Sequence, residues 1–235
     1  MASRALKPMT VRCVQRYTMS RKSAFFLAAC AAAIVAVLAC NGPSRQASAK
    51  TAVVETDTDS HLEHATFSMG CFWHSEEIFL ELKGVKNALP GYAGGTEPNP
   101  SYDLVSTGST RYAESVDVAF DPSEISYHTL LEVFFREHDP TTADRQGPDE
   151  GPQYRSAIFY RTPEQRSEAE QYISEIAGRY YAPIVTQVAP LTKFWRAEDY
   201  HLRYFRNHPD QPYIVSVTTP EVEKFRHDFP QLLKN

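Results

Sequence analysis

The sequence predicts an α+β fold, a two-layer sandwich followed by a long loop-rich C-terminal arm. Segments with two-residue apolar alternation and segments with helical spacing alternate along the chain from residue 65 to 206, as when helices cover one sheet. The 235 residues contain no internal repeat, and the part beyond residue 64 is long enough for one domain with its own core. Cysteine is too scarce for a disulfide framework: Cys13, Cys30, Cys40 and Cys71 also lack the paired spacing of a zinc site, so no metal is expected.

Residues 65–69 form a short strand running straight into Gly70-Cys71. Residues 72–83 carry helical spacing, with Trp73, Ile78, Phe79 and Leu82 apolar and Glu76 and Glu77 near the first turn. Gly84 ends that helix. Residues 85–92 are a second strand, closed by Gly94-Gly95, and 96–110 is turn chemistry. Residues 113–120 alternate until Asp121-Pro122 stops them. Residues 126–137 are a helix with a wide stripe of Leu130, Leu131, Val133, Phe134 and Phe135. After a loop at 138–152 come a strand at 153–160 and a helix opened by Pro163 that reaches about residue 180. A strand at 184–188 and a short helix at 197–206 complete the pattern, which fits the ferredoxin-like type of sandwich. Residues 210–235 are expected to lie on the domain as an extended arm.

The N-terminal segment reads as an address rather than as fold. Arg4, Lys7, Arg12, Arg16, Arg21 and Lys22, with no Asp or Glu among them, precede an apolar run over residues 24–39. Val37-Leu38-Ala39-Cys40 followed by Asn41-Gly42-Pro43-Ser44 resembles a bacterial lipobox, with Cys40 as the lipidation site; the start is Met1 or Met19. An uncleaved signal anchor is the rival reading. Either exports the rest, because the cations stay on the cytoplasmic side. The expected organisation is therefore 1–40 signal or anchor, 41–64 flexible tether, and 65–235 catalytic domain, held by its membrane anchor in the cell envelope and facing the periplasm or the exterior. Six of the 24 Lys and Arg precede Cys40, leaving 18 against all 29 Asp and Glu, a formal −11. So acidic a domain does not suit nucleic acid or an anionic membrane surface.

Cys71 is the only cysteine after Cys40 and sits where a strand meets a helix. Helix N-terminal amides aimed at its sulfur would favour thiolate. Phe72 and Trp73 read either as core or as walls for a small apolar group. Glu114 interrupts an apolar strand; pointing outward it is ordinary, but buried it becomes a proton donor near neutrality. Tyr102, Tyr154 and Asp149 flank turn-rich loops and by default are surface or turn residues.

The motifs Gly70-Cys71-Phe72-Trp73, Gly91-Tyr92-Ala93-Gly94-Gly95, Asn99-Pro100-Ser101-Tyr102, Tyr112-Ala113-Glu114-Ser115-Val116, His138-Asp139-Pro140 and Gln153-Tyr154-Arg155-Ser156-Ala157-Ile158 occur in one order and spacing. Together with Ala197-Glu198-Asp199-Tyr200-His201 and Asn207-His208-Pro209-Asp210-Gln211-Pro212-Tyr213, they make the chain resemble the A-type peptide methionine sulfoxide reductases. The resemblance implies reduction of methionine-S-sulfoxide, free or in oxidised proteins, as repair of oxidative damage. By it, Cys71 matches the nucleophile, Glu114 the acid that protonates the sulfoxide oxygen, and Tyr102 and Tyr154 the phenols that hold it. Phe72 and Trp73 match the S-methyl pocket, and Asp149 the acid that positions substrate. Many members carry resolving cysteines near the C-terminus; here Ile214 follows Tyr213 and no later cysteine exists. A one-cysteine enzyme follows, with no bound cofactor. Its sulfenic acid is left for an external thiol: a small thiol or a thioredoxin- or glutaredoxin-like protein. Nothing indicates an oligomer, so a monomer is expected.

Two other readings compete. A thiol hydrolase would pair Cys71 with a histidine, His74 being the nearest, although a surface helix histidine is the plainer reading. A lipid-anchored binding module would use Cys71 only for packing. Neither accounts for the ordered motifs.

Overall fold

The computed structural model describes residues 61–234. The expectations for the signal segment, Cys40 and most of the tether therefore lie outside the described residues. In chain order the elements are β1 (Glu63–Met69), α1 (Phe72–Glu81), β2 (Val85–Ala93), α2 (Tyr102–Val105), β3 (Ala113–Phe120), α3 (Tyr127–Arg136), β4 (Arg145–Gln146), β5 (Asp149–Glu150), β6 (Ser156–Tyr160), α4 (Pro163–Ile176), β7 (Gln187–Pro190), β8 (Phe194–Arg196), α5 (Tyr204–Asn207) and α6 (Thr219–Asp228). The fold is α+β. Six strands form one sheet in the order β7-β6-β1-β3-β2-β8. Every pairing in it is antiparallel except β6 with β7, which is parallel.

β3 lies in the interior of the sheet, and all eight of its residues are buried. Its register sets Glu114 opposite Tyr92 of β2. α1 packs on β2 and β3, and α3 on β1, around an aromatic centre in which Phe67 stacks on Phe79 and on Phe134, with ring centroids 5.2 Å apart in both pairs. Ser126 caps α3, its hydroxyl accepting from Thr129 N–H at 3.1 Å, and Thr162 caps α4 in the same way at 3.2 Å.

The C-terminal segment departs from the expected extended arm. Residues 214–218 make a π-helical turn that runs into α6, and Pro230–Leu232 adds a 3-10 turn. The β-branched run Ile214-Val215-Ser216-Val217-Thr218 hides this helix, whose buried stripe is only Val222 and Phe225 among charged neighbours. Pro220, lacking an N–H, breaks regular α pairing just after the π turn, where Thr219 N–H reaches back to Ile214 O. The expected helix at 197–206 is instead a 3-10 turn, Asp199–His201, and α5, separated by Arg203 at φ +55°. The strand expected at 184–188 forms three residues later, as β7. The one at 153–160 starts only at Ser156, because Pro152–Tyr154 coil into a 3-10 turn.

Ion pairs fasten the C-terminal third to the helices, the shortest of them to acids at 76, 77, 81 and 137. Arg203 meets Glu76 at 2.7 Å, Arg206 meets Glu77 at 2.9 Å, Arg226 meets Glu81 at 2.5 Å, and Lys224 meets Glu137 at 3.0 Å. The last residues finish α1. Lys83 N–H donates to Leu232 O and Lys234 N–H to Glu81 O, both at 2.8 Å, while Lys234 Nζ reaches Leu80 O at 2.6 Å. That ammonium satisfies a helix C-terminal carbonyl that has no partner within the helix.

Candidate active site

β1 delivers the chain to Gly70, whose φ of +92° turns it into α1; a Cβ there would lie 2.7 Å from Gln146 Cγ. Cys71 follows at the N-cap of α1, partly exposed, and is the one free thiol among the described residues. The amide of Trp73 points at its sulfur, as expected for a helix start. The thiol is nonetheless pushed well above its ordinary value, first by burial and then by the charge of Glu114; the Trp73 amide and the Tyr213 hydroxyl act the other way and lose. The sequence argument for a helix-stabilised thiolate is thereby corrected. The amide is present, but desolvation is larger.

Glu114 points inward from β3, only 2 % exposed, and its Oε2 accepts the Phe72 N–H at 3.1 Å. Burial raises its carboxyl to about 8; the Phe72 bond opposes this and the charge of Asp149 adds to it. The carboxyl is therefore mostly neutral at pH 7.

Around this pair lies a cavity of about 250 Å³ lined by Cys71, Phe72, Trp73, Tyr102, Glu114, Asp149, Tyr154, Gln211 and Tyr213. All seven residues proposed from the sequence for the site meet there. Tyr102 starts α2 and Tyr154 ends the 3-10 turn before β6. Burial pushes the Tyr102 phenol up to about 12, Glu114 adding to it, and Tyr154 also rises, so both stay hydrogen-bond donors. Asp149, on β5, accepts from the Tyr213 hydroxyl at 2.5 Å and its carboxyl is raised by burial.

The aromatic wall is held from behind. The Trp73 indole N–H donates to His201 Nδ1 at 3.0 Å, and its ring stacks on Tyr204 at 3.8 Å and 7°. Phe72 packs 4.8 Å from the His201 ring and 5.9 Å from Tyr92. Gln211, Tyr213, His201 and Tyr204 had no site role in the sequence reading. Two of the quoted motifs contain Gln211, Tyr213 and His201, yet a contact between residues 73 and 201 leaves no mark in local pattern.

His74 is not the surface histidine expected. It is 3 % exposed, its Nε2 is 3.8 Å from Glu221, and it lies outside the cavity lining. Burial, with His138 second, lowers it to about 3, so it stays neutral. It offers Cys71 no base.

A sheet-backed helix presenting a thiol to a buried neutral carboxyl, between phenols and an indole, defines a thiol-dependent oxidoreductase rather than a Cys-His hydrolase. The family model described as peptide methionine sulfoxide reductase matches residues 63–233. The chain is 49% identical over 172 residues to the peptide methionine sulfoxide reductase MsrA of Thermus thermophilus, covering 73% of this chain and 98% of that one. It is 43% identical over 182 residues to MsrA 1 of Rhodopirellula baltica, covering 77% and 95%. Among solved structures, methionine sulfoxide reductase A of Corynebacterium diphtheriae superposes with a TM-score of 0.59 at 34% identity, covering 65% of this chain and 77% of that one. Reduced Mxr1 from Saccharomyces cerevisiae gives 0.61 at 32% identity, covering 65% and 88%. The chain belongs to the peptide methionine sulfoxide reductase A family. It is an oxidoreductase, a peptide-methionine (S)-S-oxide reductase, that reduces methionine sulfoxide with a catalytic cysteine.

Proposed function

We propose that Cys71 is that cysteine and Glu114 the proton donor. A sulfoxide sulfur is a poor electrophile until its oxygen is protonated. The neutral Glu114 carboxyl gives its proton to that oxygen as Cys71 sulfur attacks, and recovers one from the thiol. Tyr102 and Tyr154 donate to the oxygen as charge builds there. The attack joins the Cys71 sulfur to the sulfoxide sulfur, and the S–O bond breaks as Glu114 gives the departing oxygen a second proton and releases it as water. A water then adds to the Cys71 sulfur and returns a proton to Glu114, the S–S bond breaks, methionine leaves, and Cys71 is left as sulfenic acid. Phe72 and Trp73 enclose the S-methyl group, while Asp149, braced by Tyr213, orients the substrate. The observation carrying this reading is the buried Glu114 carboxyl at about 8 in the cavity that Cys71 and both phenols line.

A thiol must then attack the sulfenic sulfur and expel water, and a second thiol must release the resulting disulfide. Ile214, buried beside Tyr213, stands where a resolving cysteine would be needed, and no cysteine follows Cys71. Both reductant thiols therefore come from outside, from a small thiol or a thioredoxin- or glutaredoxin-like protein. We read the central strands β6-β1-β3-β2, linked as β1-α1-β2 and β3-α3-β6, as the ferredoxin-like form of the fold. Residues 1–40 export and anchor the enzyme through a lipidated Cys40 and 41–64 tether it, so the 65–235 domain works as a monomer in the cell envelope. Mass spectrometry of the processed chain beginning at Cys40, after one turnover without reductant, tests the course of the reaction. A dimedone-trapped Cys71 sulfenic acid, absent in Cys71→Ser, is expected; an intramolecular disulfide refutes it.

A further inference from the structure

Glu198 joins two parts of the site without lining it. Its Oε1 accepts the backbone N–H of Tyr102 at 3.2 Å, and its Oε2 accepts the Tyr92 hydroxyl at 2.9 Å. Tyr102 opens α2, a single turn of four residues inside a turn-rich segment. Such a turn has little stability of its own. Its Ser101 cap is long, 3.4 Å from Leu104 N–H, and its far end is tied through Gln153 Nε2 to Ser106 O at 3.2 Å. Tyr92 is fully buried against Phe72, opposite Glu114 in the β2–β3 register. With its hydroxyl turned to Glu198, its ring lies behind Phe72, centroids 5.9 Å apart.

We infer that Glu198 is a positioning residue for the reduction, holding Tyr102 by its backbone so that the phenol meets the sulfoxide oxygen. The inference rests on the reading that Tyr102 donates to that oxygen. Glu198 also opens the turn that carries His201, the partner of the Trp73 indole. One carboxylate therefore ties the phenol side of the cavity to the segment that braces its aromatic side.

The test is a double-mutant cycle on full-length protein, reading the single-turnover rate at saturating methionine sulfoxide per titratable Cys71 thiol. Tyr102→Phe is expected to slow that rate about tenfold, and Glu198→Ala to slow it by a similar factor, about tenfold. Half-saturation should stay within about threefold in Glu198→Ala, since the phenol acts on the oxygen as charge develops. The double variant should be no more than about twofold slower than Tyr102→Phe alone, because the carboxylate acts through the phenol. Glu198→Gln keeps an oxygen for the Tyr102 N–H and should recover most of the rate. Losses that multiply in the double variant, to about a hundredfold, overturn the inference. A Tyr102→Phe enzyme at wild-type rate overturns the reading of Tyr102 itself, and the inference with it. If Glu198→Ala does not fold, Glu198→Asp, one methylene short of the Tyr102 N–H, carries the same cycle and criterion.

Discussion

Replacing Glu114 by Gln separates proton donation from shape. The amide keeps the volume of the carboxyl and an oxygen to accept the Phe72 N–H, now bonded at 3.1 Å, but holds no proton to give. A carboxyl titrating at about 8 is about nine-tenths protonated at pH 7; at the ordinary value of 4.5 it would be protonated in about one molecule in 300. Burial thus keeps the acid form dominant at neutrality, and a positioned general acid contributes about 10²–10⁴ in rate. Glu114→Gln should therefore lower the single-turnover rate of methionine release about a thousandfold. Its substrate half-saturation should move by less than about threefold, as the methyl pocket is untouched. Quenched-flow with chromatographic detection of methionine, from pH 5 to 10, reads both. Since the acidic form is active, the wild-type rate should be flat below pH 8 and fall above it, and the Gln variant should lack that fall. Tyr102, raised to about 12, and Tyr154 and Tyr213, also raised, do not ionise in this window. A Gln variant within tenfold of wild type, or a wild-type rate that climbs through pH 8–9, would show that thiolate supply limits the step and sink the assignment.

Tyr213→Phe removes a hydroxyl that bonds Asp149 and also helps lower the Cys71 thiol. Iodoacetamide alkylation of Cys71 should therefore need a higher pH in the variant, and an unchanged midpoint would show the hydroxyl to be idle. Arg203→Ala takes the guanidinium from Glu76, which is 1 % exposed, and leaves it only the backbone N–H of residue 203. Urea unfolding at pH 7 should show a loss of about 2 kcal/mol, less than breaking a fully buried pair costs, because the guanidinium is 34 % exposed and the backbone N–H bonds to Glu76 remain. The Glu76 carboxyl is already raised by burial despite Arg203. Protonation then relieves the stranded charge, so the deficit should shrink as pH falls toward 5; a deficit constant with pH would point to lost packing alone.

The sequence carried the sheet and helices where one period dominates. Residues 113–120 alternate cleanly and form β3 without a shift, and the 126–137 stripe became α3 between its cap residues. It failed where the structure is decided by contacts far along the chain. The first N–H of α2 donates to Glu198, 96 residues away from Tyr102, and α6 buries a two-residue stripe and packs against α1. The inward aim of Glu114 was open to either reading, because alternation cannot say which face of a strand meets a cavity. The ordered motifs gathered the seven lining residues, but Tyr213 needed the geometry: its partner Asp149 is 64 residues upstream. The thiolate argument found the amide but not the larger desolvation, because a helix start is visible in sequence whereas the burial that opposes it is not.

The strap at residues 230–234 sets a timetable for the enzyme's birth. Cys71 caps α1 near the front of the domain, yet the carbonyls of Leu80 and Glu81 accept from Lys234. A nascent chain that already holds the nucleophile must wait for residues 232 and 234 before the helix bearing it is closed. Until then the charges of Glu76, Glu77 and Glu81 also lack their arginines, which arrive at 203, 206 and 226. Closure of the helix that bears the thiol is thus coupled to synthesis of residues 203–234, and a ribosome stalled before residue 203 would display an open helix with Cys71 at its end.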